Sequence, residues 1–215
     1  MRTVTRRAIL AGFTALPFRP ISAAIPGAGR LAFRAERNGA AIGTHILTFA
    51  RQGEMLQVDI AVDYLVKFGP IPVFRYKLTA RETWRGETLM AITAQTNNDG
   101  DAYFMRATRQ GDALAVEGSK SGRYLAPEGT IAATHWNRRQ LDAPMINPQT
   151  GVLLRYAVTP GPVEPVAFAD GTTRAARRYG LAGTDPLDLW YDETGEWLAL
   201  RALAKDGSEI RYIRS

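Results

Sequence analysis

The chain has no cysteine, only two histidines and, beyond its first 24 residues, only four serines, at 119, 121, 208 and 215. Each scarcity closes off some chemistry. Without cysteine there is no disulfide, thiol nucleophile, thiolate ligand or lipidated cysteine. The histidines, His45 and His135, form neither an H-x-x-x-H nor an H-x-x-E-H pair, so no zinc-hydrolase spacing exists. None of the four serines stands in G-x-S-x-G or S-x-x-K. Gly118-Ser-Lys-Ser-Gly122 lacks the G-x-x-x-x-G-K frame of a phosphate loop and reads as an exposed turn. No dinucleotide fingerprint is present either. Neither a cofactor nor a metal is expected, and no set of residues is assigned a catalytic role.

Long hydrophobic runs are also missing. Ala8–Leu16 is far shorter than the roughly 20 residues of a membrane-spanning helix, and Pro17, Arg19 and Pro20 break the chain immediately after it. A basic start, that short apolar stretch and the small-residue exit Ser22-Ala-Ala24 form an export signal. Arg6-Arg7, with Ala8-Ile9-Leu10 next to it, resembles a twin-arginine signal, whose substrates usually cross the membrane folded; an ordinary secretory signal is the alternative. Residues 1–24 are therefore expected to be cleaved, leaving 25–215 as one β domain that is periplasmic or secreted, with no stable membrane anchor. Removing Arg2, Arg6, Arg7 and Arg19 from the 27 basic residues leaves 23 against 21 acidic ones, so a net charge of +6 falls to +2. That near balance argues against nucleic acid as a partner.

The remaining chain is punctuated by turn signals. Asn38-Gly39, Gln52-Gly53, Gly69-Pro70, Arg85-Gly86, Asp99-Gly100, Gln110-Gly111 and Ser121-Gly122 place glycines 11 to 17 residues apart. Between them apolar residues alternate with period two. Leu56, Val58, Ile60, Val62 and Tyr64 share one face; in the next segment Phe74, Tyr76, Leu78, Ala80 and Trp84 do so, with Glu82 as an intruder. This predicts strands over 30–37, 42–51, 55–66, 72–84, 87–96, 102–109, 112–118, 152–159, 163–169, 172–182 and 187–191, then a closing hairpin, 197–204 to 208–213. The fold class is mainly β: a single-domain antiparallel meander curled into a barrel or half-barrel. Residues 119–151 form an irregular insertion. Within it Thr134–Asp142, with Thr134 as N-cap and Pro144 beyond, predicts one short helix that covers a mouth of the barrel.

Three groups of residues are candidates for binding. His135, Trp136 and Asn137 place an imidazole and an amide beside an aromatic ring, suited to a ligand's polar group or to proton transfer. The structural alternative is that Trp136 plugs the barrel while its neighbours satisfy loop backbone. Arg75, Tyr76, Glu82 and Trp84 form the second group. A carboxylate on an apolar face needs a partner, and Arg75, Arg81 and His45 are the candidates. The third is Trp190, Tyr191 and Trp197 around a turn, a pattern typical of a cross-strand pair.

Arg37-Asn-Gly-Ala-Ala-Ile-Gly-Thr-His45, Phe74-Arg-Tyr with Glu82-Thr-Trp84-Arg-Gly86, His135-Trp-Asn137 with Ile146-Asn147, and Leu187–Leu200 with Lys205–Tyr212 resemble a family of exported bacterial proteins of unknown function. The resemblance spans essentially all of the mature chain and implies a curved antiparallel sheet but no reaction. More distantly it is similar to periplasmic lipoprotein-carrier half-barrels, which implies an apolar concave face. Those carriers place several helices over the cavity, where this chain offers one. The preferred functional reading is non-enzymatic binding of an apolar or amphipathic envelope molecule; the alternatives are a partner-binding scaffold with a solid core and an envelope enzyme using His135 or His45 with Glu82. The state of the interior separates them. Oligomeric state is not legible.

Overall fold

The structure, a computed structural model, describes residues 29–183 and 185–215; the export segment expected over 1–24 lies outside the described residues. Alternating side chains and tight turns give eight strands in succession. They are β1 (Arg30–Arg37), β2 (Ala40–Gln52), β3 (Met55–Phe68), β4 (Ile71–Arg85), β5 (Thr88–Asn98), β6 (Asp101–Gln110), β7 (Ala113–Gly118) and β8 (Gly122–Ala126). An insertion then carries β9 (Ile131–Ala132), one 3-10 turn (Arg138–Leu141), β10 (Met145–Ile146) and β11 (Leu153–Leu154). The chain returns through β12 (Ala157–Ala167), β13 (Thr173–Ala182), β14 (Leu187–Tyr191), β15 (Trp197–Leu203) and β16 (Glu209–Arg214). The Asn38-Gly39 turn shows why the joints are tight: both residues have positive φ, 48° and 81°, as a two-residue hairpin requires.

Thirteen strands form one antiparallel sheet in the order β12-β13-β14-β15-β16-β1-β2-β3-β4-β5-β6-β7-β8. A sheet of that width curls, yet β8 and β12 remain its two edges, so it does not close into a barrel. The edge strand β12 carries Pro160, Pro162 and Pro165, which lack the N–H groups a further strand would need. β1 is interior, hydrogen-bonded to β2 on one side and β16 on the other.

The insertion fills the concave side. β9 runs parallel to β10, which pairs antiparallel with β11. Ile131, Trp136, Leu141, Met145 and Ile146 belong to the same core as Leu31, Leu47, Val58, Ile92 and Leu189 of the sheet. Its loop at Asn147–Gly151 lies directly on β7: a Cβ on Gly118 would sit 2.3 Å from the Thr150 carbonyl oxygen, so only glycine fits there. A smaller cluster of Val166, Ala176, Trp190 and Leu198 is separate from this main core.

Three expectations need correction. Gly122–Ala126, expected within the irregular insertion, is the edge strand β8 of the main sheet. The helix over 134–142 is absent: His135 has φ of +69°, which breaks any helix there, and Asn137 rather than Thr134 caps a single 3-10 turn of four residues. The expected strands 152–159 and 163–169 are replaced by the two-residue β11 and the single strand β12, whose register slips between Pro160 and Val163.

Candidate functional site

Period-two alternation points Glu82 of β4 inward, level with Val58 on β3 and Ile92 on β5. It is completely buried. Three neutral donors satisfy it: Trp84 Nε1 at 2.8 Å and Trp136 Nε1 at 2.9 Å donate to Oε2, and Thr134 Oγ1 donates to Oε1 at 2.7 Å. The two indoles meet edge to face, ring centroids 5.4 Å apart, and Phe49 packs against Trp136 at 5.3 Å. None of the cations expected beside Glu82 is there. Arg81 points outward to Asp59 at 2.6 Å, and Arg75 lies on the exposed face, 3.6 Å from Asp63. Burial raises the Glu82 carboxyl above its ordinary range, and its three hydrogen bonds pull it part of the way back. The arrangement is a clamp: one sheet carboxylate holds two residues of the insertion.

A second polar group lies elsewhere on the same face. His45 sits in register with Phe33 and Val62, level with Leu78, whereas Glu82 lies four residues further along β4, roughly 13 Å of strand. The His45 ring is enclosed by Trp197 and Tyr212, each 5.4 Å away, and by Phe33 at 6.3 Å. Both its ring nitrogens are buried without a hydrogen-bond partner. Burial, and then the neighbouring His135, lower its pKa to about 3, so it is neutral at physiological pH. His135 is also lowered, to about 4, by burial, against an opposing hydrogen bond with Gln140. Its Nδ1 lies 3.2 Å from Gln140 Oε1, and its carbonyl accepts from Tyr191 Oη at 2.7 Å. Along the same face Tyr64 Oη donates to Tyr212 Oη, Tyr64 stacks on Tyr76 at 5.7 Å, and Tyr76 Oη donates to Gln149 Oε1 at 3.2 Å. Burial pushes the Tyr76 phenol upward and Tyr212 up to about 12. Among the described residues this region offers neutral donors and acceptors, and no carboxylate is hydrogen-bonded to either histidine.

The family model described as Domain of unknown function (DUF6134) matches residues 33–215. The chain belongs to the DUF6134 family. Among solved structures, a beta-barrel-like protein of domain of unknown function DUF1849 from Brucella abortus is similar, with a TM-score of 0.62 at 9% identity over 86% of this chain and 94% of that one. At that identity the likeness concerns the fold: a mainly β, curved antiparallel sheet. No curated protein matches the sequence.

In this DUF6134 chain the sequence candidates separate into distinct places. Glu82, Trp84 and Trp136 converge, joined by Thr134. His45 and His135 flank Trp197, each ring 5.4 Å from it, and Tyr76 belongs to the adjoining tyrosine row. Asn137 serves backbone: its Oδ1 accepts from Arg139 N at 3.0 Å. Arg75 is outside altogether. Tyr191 and Trp197 do form a cross-strand pair, while Trp190 belongs to the smaller cluster and donates to Glu164 at 2.6 Å. Sequence reasoning missed Tyr212, Gln140 and the carboxylate-binding role of Thr134. Tyr212 was within reach, because Ile210 and Tyr212 alternate with charged residues in the last strand. Gln140 carried no such signal.

Proposed function

We propose that the protein is exported and acts at the cell envelope as a non-enzymatic scaffold that presents its sheet surface and loops to a partner. The observation that carries this reading is the concave side: the chain's own insertion occupies it, anchored on a carboxylate whose hydrogen bonds are all made by its own residues. Arg6-Arg7 and the short apolar run support export. An enzyme using Glu82 with His45 or His135 has little support, since Glu82 faces indoles and a hydroxyl, and neither histidine is among its partners. Native mass spectrometry of protein purified from its own envelope is the test. The expected mass is that of the chain without residues 1–24; co-purification of an apolar or amphipathic molecule, or retention in the cytoplasm, overturns the proposal.

One observation favours a second reading, in which the face still binds a small amphipathic molecule. A neutral imidazole with both nitrogens buried and unpartnered is ready to receive the polar end of such a ligand beside Tyr64, Tyr76 and Tyr212. Under this reading His45→Phe abolishes retention of the co-purified molecule and leaves the melting temperature of the ligand-free protein nearly unchanged.

A further inference from the structure

The hairpin β3–β4 outruns its neighbours. Pairing of β3 with β2 ends at Tyr64 opposite Gly43, and pairing of β4 with β5 ends at Tyr76 opposite Asn98. Beyond that level Leu65–Arg75, Val66–Phe74, Lys67–Pro72 and Phe68–Ile71 have no strand partner but one another, and at the base Arg75 is also held by the β5–β6 turn, its carbonyl accepting from Asp99 N at 2.7 Å. Four residues of strand project roughly 13 Å as a two-stranded ribbon with no flanking strand. Its tip is apolar and in solvent: Phe68 is 79% exposed, Ile71 60% and Val73 52%. From Tyr64 to Tyr76 the ribbon carries Lys67 and Arg75 and no acid.

Nothing in the fold requires these side chains to be apolar. A lone hairpin in water gains nothing from an exposed Phe and Ile at its turn, and clustered exposed apolar residues mark an interaction site. Pro70 and Pro72 have no N–H to offer a strand partner, which disfavours an added strand as the occupant. Two copies of the tip would bring their cations together. A wedge of aromatic and aliphatic side chains beside Lys67, with Arg75 at its base 3.6 Å from Asp63, instead matches an anionic lipid surface: the apolar tip enters the acyl boundary and the Lys67 ammonium stays among the headgroups.

We propose that the Phe68–Val73 tip is a membrane-contact element that docks the protein reversibly on anionic lipid. The proposal rests on the envelope reading above, but it is measured on purified protein and so stands or falls independently of where the cell sends the chain. The full-length protein is sedimented with vesicles of equimolar phosphatidylcholine and phosphatidylglycerol, and with phosphatidylcholine alone. Binding is expected to the anionic vesicles and to weaken with salt. Phe68→Asp with Ile71→Asp should reduce it by about tenfold or more, as expected when two side chains that would be buried no longer are. Lys67→Glu should reduce it by about fivefold. Because every variant retains residues 1–24, any binding by that segment is common to all. These residues are exposed, so melting temperatures should not change, and Phe68→Trp should report insertion as a blue-shifted emission with anionic vesicles only. Equal binding by the double Asp variant overturns the proposal. So does an absence of vesicle binding together with a concentration-dependent dimer that the double Asp variant loses.

Discussion

Glu82 and His45 share one concave face, and the fold treats them in opposite ways. Glu82 is buried with three donors aimed at its two oxygens; His45 is buried with none at its two nitrogens. The difference comes from the residues above each one. Over Glu82 the insertion delivers Thr134 and Trp136, whereas over His45 the sheet supplies aromatic faces from Trp197, Tyr212 and Phe33. A buried titratable group is therefore not in itself a sign of chemistry. The satisfied one here is architecture, and the unsatisfied one is the more informative.

The largest effect expected on this contrast is at the clamp. Trp136→Ala removes both a core side chain and a Glu82 donor, and should destabilise the protein by about 3–5 kcal/mol in urea unfolding. A value near zero would mean that the insertion does not hold the sheet. Replacing the acceptor is the subtler probe. Glu82→Leu strands the buried indole N–H groups of Trp84 and Trp136, at about 1–3 kcal/mol each. Glu82→Gln keeps an acceptor for the indoles and offers an amide N–H to Thr134 Oγ1, so it should retain most of the stability. If Leu and Gln behave alike, the hydrogen bonds are not what the clamp provides.

The smallest effects are expected at His45, and pH separates it from Glu82. A histidine lowered from 6.5 to about 3 on folding leaves the unfolded chain binding more protons between those values. Its contribution is thus intact above pH 6.5 and is lost as pH falls towards 3, with a slope of at most about 1.4 kcal/mol per pH unit. Glu82, raised on folding, acts the other way: from its ordinary 4.5 up to its folded value the native state holds the extra proton, so stability declines as pH rises through that window. His45→Phe should remove one of the two histidine contributions to the acid slope, leaving that of His135 between 6.5 and about 4, and, by deleting two unpartnered polar atoms, leave stability at pH 7 unchanged or higher by about 1 kcal/mol. A loss of several kcal/mol at pH 7 would mean that the imidazole has a partner, a water or a ligand, which the wild-type protein needs.

Most of the sheet was legible because side chains alternate and the turns carry glycine. The alternation also pointed Glu82 inward, as an exception on an apolar face. It could not supply the partner, because Thr134 and Trp136 approach from more than fifty positions away in sequence. The helix expected over 134–142 rested on a capping residue and on the absence of alternation, neither of which foresees a left-handed His135. β8 was missed as a five-residue edge strand beginning at a glycine, with little room to show a period. Trp136 is buried, as a plug must be, with Trp84 and Phe49 as its aromatic neighbours, which no local pattern could have named.

The pairing of β1 with β16 makes the polypeptide topologically closer to a ring than to a line. The amide of Ser215 donates to the Ala32 carbonyl at 2.8 Å, and if the chain is read as a circle the strands run in unbroken order from β12 round to β8, with the only discontinuity at the insertion. In synthesis this inverts the usual sequence of events. β1 emerges before every other described strand and waits in the middle of the sheet for β16, so the two halves of the sheet are joined only after β16 has left the ribosome. Long-range closure of this kind makes folding slow, and until then β1 keeps one edge open.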